Sequence, residues 1–212
     1  MKKPVARIFV NHPECSIQSA SGIYEALHSK FDLDFFGIED ISEDFLQDVS
    51  LIVFPGGIGD SDSFDYLLKP YQSIIQNYVA QGGSYLGICM GAYWAGPHYF
   101  DIVTDIEPVQ YIKQPSADIR RSFSTTANIT WNQESHRMFF YDGCSLLGDS
   151  SKFETVATYS NGDPMAIIQK QIGLIGCHPE SMPSWYNKKY LNQNWHKFEH
   201  HRLLADFAIR LL

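Results

Sequence analysis

The sequence lacks the charge and the cysteine pattern of several large protein classes. It has 16 Lys and Arg against 24 Asp and Glu, a formal net charge of −8, and no basic run longer than a doublet. Binding to nucleic acid or to a membrane surface depends on clustered positive charge, so we expect neither partner. The cysteines form no Cys-x-x-Cys pair, which favours free thiols in a reducing cytoplasm over a disulfide framework.

Long apolar runs are also missing. No stretch reaches the roughly 20 residues of a membrane span. The short apolar segment 5–10 contains Arg7 and lacks the small-residue cleavage site of a signal peptide, so we interpret it as a strand of a cytoplasmic protein. With 44% hydrophobic and 19% charged residues, the 212-residue chain fits a single globular domain over residues 1–212.

Strand-like and helix-like segments alternate in the first half of the sequence. The strand-like segments there are 5–10, 32–37, 51–54 and 84–88, and the helix-like segments are 17–30 and 64–81. This alternation predicts a parallel sheet with crossover helices. The second half is β-rich, with strands predicted at 123–131, 138–140, 155–159, 165–169 and 173–177 and a last helix near 198–211. Turn signals between these strands indicate antiparallel additions to the sheet.

A Gly-x-Cys-x-Gly motif, from Gly87 to Gly91 around Cys89, joins a strand-like segment to a helix-like one. It has the form of a nucleophile elbow, in which two glycines relieve crowding at a sharp strand-to-helix turn. The positive end of the helix dipole favours an anion at this position, so we expect Cys89 to be the reactive cysteine, with Cys15 in an exposed loop as its main competitor. A lone motif of this kind is more often a small buried residue in a tight joint.

A glycine turn precedes the elbow in the sequence. The strand 51–54 runs into Pro55-Gly56-Gly57, and such a turn can aim backbone N–H groups at an oxyanion. The Met90 N–H with that of Gly56 or Gly57 would complete a two-donor oxyanion hole. A simple β-turn is the plainer explanation.

A histidine and a glutamate follow the last predicted strand, as His178-Pro179-Glu180. A base with an orienting carboxylate is what a cysteine nucleophile needs. Each residue alone has a plainer explanation, as a structural histidine or a surface carboxylate. Their position after the elbow predicts a Cys89-His178-Glu180 triad.

The succession of Pro-Gly-Gly, Gly-x-Cys-x-Gly and His-Pro-Glu resembles the class I glutamine amidotransferase superfamily. The resemblance implies an α/β, flavodoxin-like three-layer sandwich with a central, mostly parallel sheet and antiparallel additions in the C-terminal half. It also implies the oxyanion turn, the nucleophile and the His/Glu pair named above. More narrowly, segments 82–93 and 159–166 are similar to the N-terminal domain of biotin-protein ligases. We expect no biotinylation, because no ligase catalytic domain follows.

One position departs from the amidotransferase pattern. The family commonly has a glutamine four residues after the cysteine, where it helps hold the substrate glutamine, and this sequence has Tyr93 there. The resemblance therefore implies the fold and the triad without implying glutamine hydrolysis. Tyr93 and the acidic loop with Asp60 and Asp62 are a possible substrate pocket, although the acidic residues are also typical of a helix N-cap.

Two functions stay open. The first is a stand-alone hydrolase acting on a small amide or acyl substrate through the triad, with no cofactor and no metal. The second is a catalytically silent regulatory or ligand-binding domain, with a protein partner or a homodimer. A PfpI-like peptidase shares the elbow, but His-Pro-Glu near the chain end disfavours it. His196 and His200 have metal-ligand spacing on a helix, but without a third ligand we interpret them as a solvated helix face.

Overall fold

Helices and strands alternate up to residue 94, and strands dominate from residue 106 to residue 175. The computed structural model describes residues 2–212. The strands are β1 (Val5–Phe9), β2 (Asp32–Phe36), β3 (Leu51–Phe54), β4 (Ser84–Ile88), β5 (Ile106–Gln110), β6 (Thr125–Trp131), β7 (Glu134–Phe140), β8 (Cys144–Gly148), β9 (Glu154–Tyr159), β10 (Pro164–Gln169) and β11 (Ile172–Ile175). The helices are α1 (Ile17–Leu27), α2 (Glu43–Leu46), α3 (Ser61–Leu67), α4 (Gln72–Ala80), α5 (Met90–Trp94) and α6 (Glu199–Ile209).

Nine strands form one sheet in the order β2-β1-β3-β4-β11-β10-β9-β6-β7. The pairs from β2 to β11 are parallel, and the pairs from β11 to β7 are antiparallel. β5 and β8 form a separate antiparallel pair. The predicted α/β class, with a parallel centre and antiparallel additions, is confirmed. The predicted strand 173–177 corresponds to β11, which joins the two halves of the sheet: it pairs antiparallel with β10, as predicted, and parallel with β4. The single-domain organisation stays a prediction.

Alternate residues of the central strands pack on opposite faces of the sheet. In β3, Leu51 and Val53 belong to one buried hydrophobic cluster, and Ile52 and Phe54 belong to the other. The first cluster includes apolar residues of α1 and α6, and the second includes those of α3, α4 and α5. Helices therefore cover both faces, which gives the three layers of the flavodoxin-like prediction. Within residues 2–212, no helix combines the length and the apolar character that crossing a bilayer requires.

The predicted helix 64–81 is two helices in the structure. A 3-10 turn at Lys69–Tyr71 separates α3 from α4. Pro70 explains the break, because proline has no N–H for the helical ladder and clashes with the preceding turn. α3 also begins earlier than predicted, at Ser61, because the Asp60 side chain accepts a hydrogen bond from the Ser63 N–H and caps the helix.

The loops that carry the candidate site meet at the carboxyl edge of the parallel strands. In the sheet, β1 lies between β2 and β3, and helices lie on both faces. The strand order therefore reverses between β1 and β3, and the loops that follow these two strands flank this topological switch point. An antiparallel bridge between Cys15 and Gly57 ties these two loops together. The turn after β4 carries Cys89, and the segment after β11 carries His178. The topology therefore brings sequence-distant motifs to one edge.

Gly91 lies too close to β3 to accept a side chain. A Cβ built on Gly91 would be 2.1 Å from the Phe54 carbonyl oxygen. We expect Gly91→Ala to lower the free energy of unfolding by about 3 kcal/mol, because α5 and β3 must move apart. The measurement is unfolding in urea.

Gly82→Ala is the matched control. Gly82 has a positive φ of 97°, but a Cβ there would meet no atom within 4 Å beyond its chain neighbours. Its substitution should therefore cost only the backbone strain, about 1 kcal/mol. Equal losses for the two variants would contradict the close-contact explanation for Gly91.

Candidate active site

Cys89 occupies a strained turn between β4 and α5. Its backbone has φ 51° and ψ −103°, a conformation that residues with a side chain seldom adopt. The Cys89 N–H donates to Ile175 O at 2.8 Å, and the Cys89 carbonyl accepts from the Tyr93 N–H at 3.1 Å. Gly87 and Gly91 lie so close that a Cβ on Gly87 would be 2.4 Å from Gly91 O. The neighbouring strand, helix and glycines thus hold Cys89 in this conformation.

His178 and Glu180 form a buried pair just beyond β11. His178 Nδ1 lies 2.8 Å from Glu180 Oε1, and the two residues are 5% and 0% exposed. The His178 N–H donates to Phe139 O at 2.9 Å, which fixes the backbone of the pair against β7. A carboxylate in this position orients the imidazole and favours its charged form.

The pKa of His178 is raised to about 10. Burial alone would lower it, but attraction to Glu180 and to Cys89 and hydrogen bonds with both side chains outweigh burial. Because Nδ1 bonds Glu180, Nε2 is the ring nitrogen available to Cys89. His178 thus lies between the Glu180 carboxylate and the Cys89 sulfur. Cys89 Sγ also lies 3.6 Å from Tyr141 O.

Ser19 of α1 supports the same carboxylate and was not predicted from the sequence. Its hydroxyl donates to Glu180 Oε1 at 2.6 Å and accepts from the Gly56 N–H at 3.0 Å. One turn later, Gly22 packs against the Glu180 backbone, where a Cβ would be 2.1 Å from Glu180 O. The small residues Ser19 and Gly22, three apart on one helix face, are the available sequence signal for this contact.

The structure changes the oxyanion prediction. The Gly56 N–H is already bonded to Ser19, so Gly56 is not a free donor. Gly56 instead makes room for the imidazole, because a Cβ there would be 2.5 Å from His178 Cε1. The hydrogen bonds at the bridge between Gly57 and Cys15 are made by the residues next to them, so within the described residues the Gly57 N–H has no acceptor. The Met90 N–H lies at the start of α5 and has no acceptor within the helix.

The three residues of the predicted substrate pocket have different surroundings. Asp60 and Asp62 are exposed, and hydrogen bonds from the Ser63 N–H and hydroxyl lower the pKa of Asp60. Capping α3 therefore accounts for Asp60. Tyr93 is half-buried and donates its hydroxyl to Asp142 O at 3.3 Å, close to the Tyr141 carbonyl that Cys89 contacts. Tyr93 and residues 141–142 thus border the same side of the elbow.

Access to the cysteine is narrow. Cys89 is 5% exposed, and the Trp185 ring lies edge-on over His178 with 5.4 Å between ring centroids. One broad surface depression lies at the opposite edge of the sheet, beside α2, α4 and the start of β4, and holds no candidate site residue. Cys89 and His178 are therefore both largely shielded from solvent.

The other cysteines are more deeply buried than Cys89. The expectation of an exposed Cys15 was wrong: it is 1% exposed, and burial raises its pKa to about 12. Cys144 and Cys177 are fully buried, and burial raises the pKa of both thiols. Residues 2–212 contain no group of three or more His, Cys, Asp or Glu side chains arranged to hold a metal ion.

We expect Ser19→Ala to destabilise the protein by about 2 kcal/mol, because it leaves a buried carboxylate oxygen and a backbone N–H each without one partner. Unfolding in urea measures the loss. Ser21→Ala is the control on the same helix, since Ser21 is exposed, and it should change the free energy of unfolding by less than about 0.5 kcal/mol. Similar values for both variants would show that the Ser19 hydroxyl does not support Glu180.

We expect iodoacetamide to modify Cys89 before the other three thiols, because they are more buried and their pKa values are raised. His178→Asn should slow the reaction of Cys89 at pH 7 by about tenfold, the effect of roughly 1.4 kcal/mol on a rate. Peptide mass mapping follows each site. His28→Asn, at an exposed histidine, is the control and should change nothing. Modification of Cys15 first would contradict this assignment.

Comparison with known proteins gives two kinds of similarity. Residues 12–103 match the family model described as biotin-protein ligase, N terminal. This segment includes the loop after β1, the glycine turn and the elbow, but not His178 or Glu180. Comparison of the sequence with curated proteins found no match.

Solved structures resemble the chain over nearly its whole length. A glutamine amidotransferase from Methylobacillus flagellatus has 12% identity and a TM-score of 0.69, with 100% of this chain and 96% of that one covered. A second glutamine amidotransferase structure has 15% identity and a TM-score of 0.66, with 98% of each chain covered. A glutamine amidotransferase from Thermotoga maritima has 14% identity and a TM-score of 0.64, with 99% of this chain and 92% of that one covered. The chain therefore has the glutamine amidotransferase fold, and its residues 12–103 are similar to the N-terminal part of biotin-protein ligases.

Proposed function

We propose that the chain is an amidotransferase-like hydrolase that acts on a small amide or acyl substrate through Cys89, His178 and Glu180. The observation that carries the proposal is the buried His178-Glu180 pair beside a cysteine held at a positive φ. A core cysteine without chemistry needs neither the strained backbone nor a buried imidazole with a carboxylate. Burying such a pair costs free energy, which argues for a use other than packing.

In the first half of the proposed reaction, the Cys89 thiol gives its proton to His178 Nε2, and Sγ forms a bond to the carbonyl carbon of the substrate. The negative charge that develops on the carbonyl oxygen is stabilised by the N–H groups of Gly57 and Met90. The carbon–nitrogen bond then breaks, and the leaving amine or ammonia takes a proton from His178. The product of this half is a thioester on Cys89.

In the second half, water attacks the thioester and gives a proton to His178, which Glu180 holds in the correct orientation. The acid product leaves, and Cys89 and His178 return to their starting states. Side chains, backbone N–H groups and water suffice for this cycle, so it requires no cofactor. A small substrate fits the narrow access to Cys89.

A regulatory or ligand-binding domain is the second candidate. Tyr93 favours it, because a tyrosine bonded to Asp142 O stands where amidotransferases commonly use a glutamine to hold the substrate. A domain that binds a metabolite or a protein partner would keep the pocket and lose turnover.

We expect glutamine hydrolysis to be slow or undetectable, because Tyr93 cannot make the contacts of the substrate-holding glutamine. On a panel of small amides and thioesters, turnover of the best substrate should fall at least about 10³-fold in Cys89→Ala. Release of ammonia or thiol measures the rate. Cys144→Ala is the matched control, since it removes a buried thiol outside the site and should keep the activity.

Rapid ammonia release from glutamine that depends on Cys89 would contradict the expectation for Tyr93. Thermal stabilisation by a compound that neither wild type nor Cys89→Ala converts would favour the second candidate, because a ligand that binds only the folded state raises the melting temperature.

A further inference from the structure

Four imidazoles are packed together behind Glu180. His196 precedes α6, His200 and His201 lie in its first turn, and His136 comes from β7. The rings of His196 and His200 are stacked with 4.2 Å between centroids, and His136 lies 5.4 Å from His200. His196, His200 and His201 are 8%, 2% and 5% exposed. The interpretation of His196 and His200 as a solvated helix face was therefore wrong. We call these four residues the histidine cluster.

The histidine cluster holds the residue that follows Glu180. The Ser181 carbonyl accepts hydrogen bonds from His196 Nε2 at 3.1 Å and from His201 Nε2 at 3.2 Å. The Ser181 hydroxyl is bonded to Tyr186 at 2.9 Å, and the Ser181 N–H donates to His178 O at 3.3 Å. Ser181 itself is fully buried. The short turn from His178 to Ser181 is thus fixed at its far end by two imidazole donors.

These hydrogen bonds require His196 to be neutral. A carbonyl oxygen only accepts, so His196 Nε2 carries a hydrogen. The His200 backbone N–H donates to His196 Nδ1 at 3.3 Å, so Nδ1 must be without one. A proton on Nδ1 would place two donors against each other at the start of α6. The bonding pattern and a positive charge on His196 are therefore incompatible.

A positive charge in the cluster has no anion to offset it. Glu180 Oε1 is bonded to His178 and Ser19, and Glu180 Oε2 is buried without a hydrogen-bond partner within residues 2–212, but Glu180 does not contribute to the pKa shifts of His196 or His200. Glu134 and Arg137 on β7 and Lys197 and Glu199 next to the cluster are exposed. A surface hollow beside His201 is bordered by Glu25 of α1, by Lys30 just after α1, and by Arg202 and Asp206 of α6, all exposed. Buried Nε2 of His136 and Nδ1 of His200 have no partner within residues 2–212.

The pKa values agree with this geometry. Burial, and then the nearby His201, lowers the pKa of His196 to about 4. Burial, and then His196, His136 and His201, lowers the pKa of His200 to about 2. Once released into water, each ring has an ordinary pKa near 6.5. Below pH 6.5 the open state therefore binds protons that the closed state does not. The equilibrium constant for opening then rises by up to about tenfold for each pH unit and for each histidine that titrates.

We infer that the histidine cluster makes the turn from His178 to Ser181 sensitive to acid. Protonation of His196 and His200 releases Ser181, and Glu180 is then no longer held in position against His178. The local opening is independent of the reaction that the chain catalyses. The loss of activity that follows from it rests on the proposed function.

Hydrogen exchange followed by mass spectrometry between pH 7 and pH 4.5, corrected for the intrinsic rate at each pH, tests the opening without any substrate. We expect the amides of His178, Ser181 and His200, all hydrogen-bonded, to lose protection together below pH 6.5. The amides of β3 and β4 should stay protected over the same range. An absence of turnover in every assay would refute the proposed function and leave this result intact.

Two variants identify the titrating groups. His196→Gln keeps a donor for Ser181 O but does not titrate, and should lower the midpoint of the protection loss by about one pH unit. His200→Phe removes the second titrating imidazole while keeping an aromatic ring stacked on His196, and this variant should also lower the midpoint of the protection loss. If His196→Gln folds poorly, His200→Phe alone tests whether the cluster titrates. His98→Gln, at an exposed histidine, is the control and should leave the midpoint unchanged.

Four outcomes would overturn the inference. The first is protection of residues 178–201 that persists to pH 4.5. The second is an unchanged midpoint in both variants. The third is opening of α6 while the amides of His178 and Ser181 stay protected. The fourth is opening that includes β3 and β4 at the same pH, because this would be unfolding of the sheet and not a local opening.

Discussion

The buried carboxylate of Glu180 is the constraint on which the candidate site depends. It has no exposed surface, so the free energy lost by removing a charge from water must be recovered from hydrogen bonds. Both donors reach the same oxygen, one from Ser19 in the first helix and one from His178 two residues away. The Ser19 hydroxyl in turn receives the N–H of the glycine turn. The first helix, the turn after β3 and the segment after β11 are therefore fixed relative to one another by a single carboxylate, and the contacts that stabilise the fold are the contacts that shape the site.

The small exposure of Cys89 bears on the choice between the two candidate functions. Trp185 covers the imidazole, and Tyr93 and Tyr141 border the sulfur, so little water reaches it. Exclusion of water strengthens the attraction between the thiol, the imidazole and the carboxylate, which favours chemistry at this position. The same closure restricts the substrate to a small group, or to one that displaces an aromatic side chain. Both candidates therefore depend on access to Cys89 and His178, which are each 5% exposed.

Sequence motifs identified the parts of the structure whose causes are local. The glycine turn, the elbow and His-Pro-Glu were found because each encodes a particular backbone shape, and the central strands because their apolar runs are short and bounded by turns. The break at Pro70 was readable but was missed, since the helical pattern continues across it. β5 and β8 were not predicted, because neither has a clear alternating pattern. Ser19 and the histidine cluster were out of reach for another reason: their roles come from contacts with residues 161 and 15 to 20 positions away, and nothing in the local sequence specifies those partners.

The position of β11 in the sheet links the order of synthesis to the chemistry. β4 pairs with β3 on one side and with β11 on the other, and the entire antiparallel half of the fold lies between β4 and β11 in sequence. While the chain is being made, β4 therefore presents an open edge in what will become the middle of the sheet, and such an edge invites pairing with other chains. The strand that closes this edge also brings His178 and Glu180. A nascent chain that stops before residue 172 would consequently be prone to aggregate and would lack two residues of the proposed triad. The pairing of β11 with β4 closes the open edge and places both residues beside Cys89.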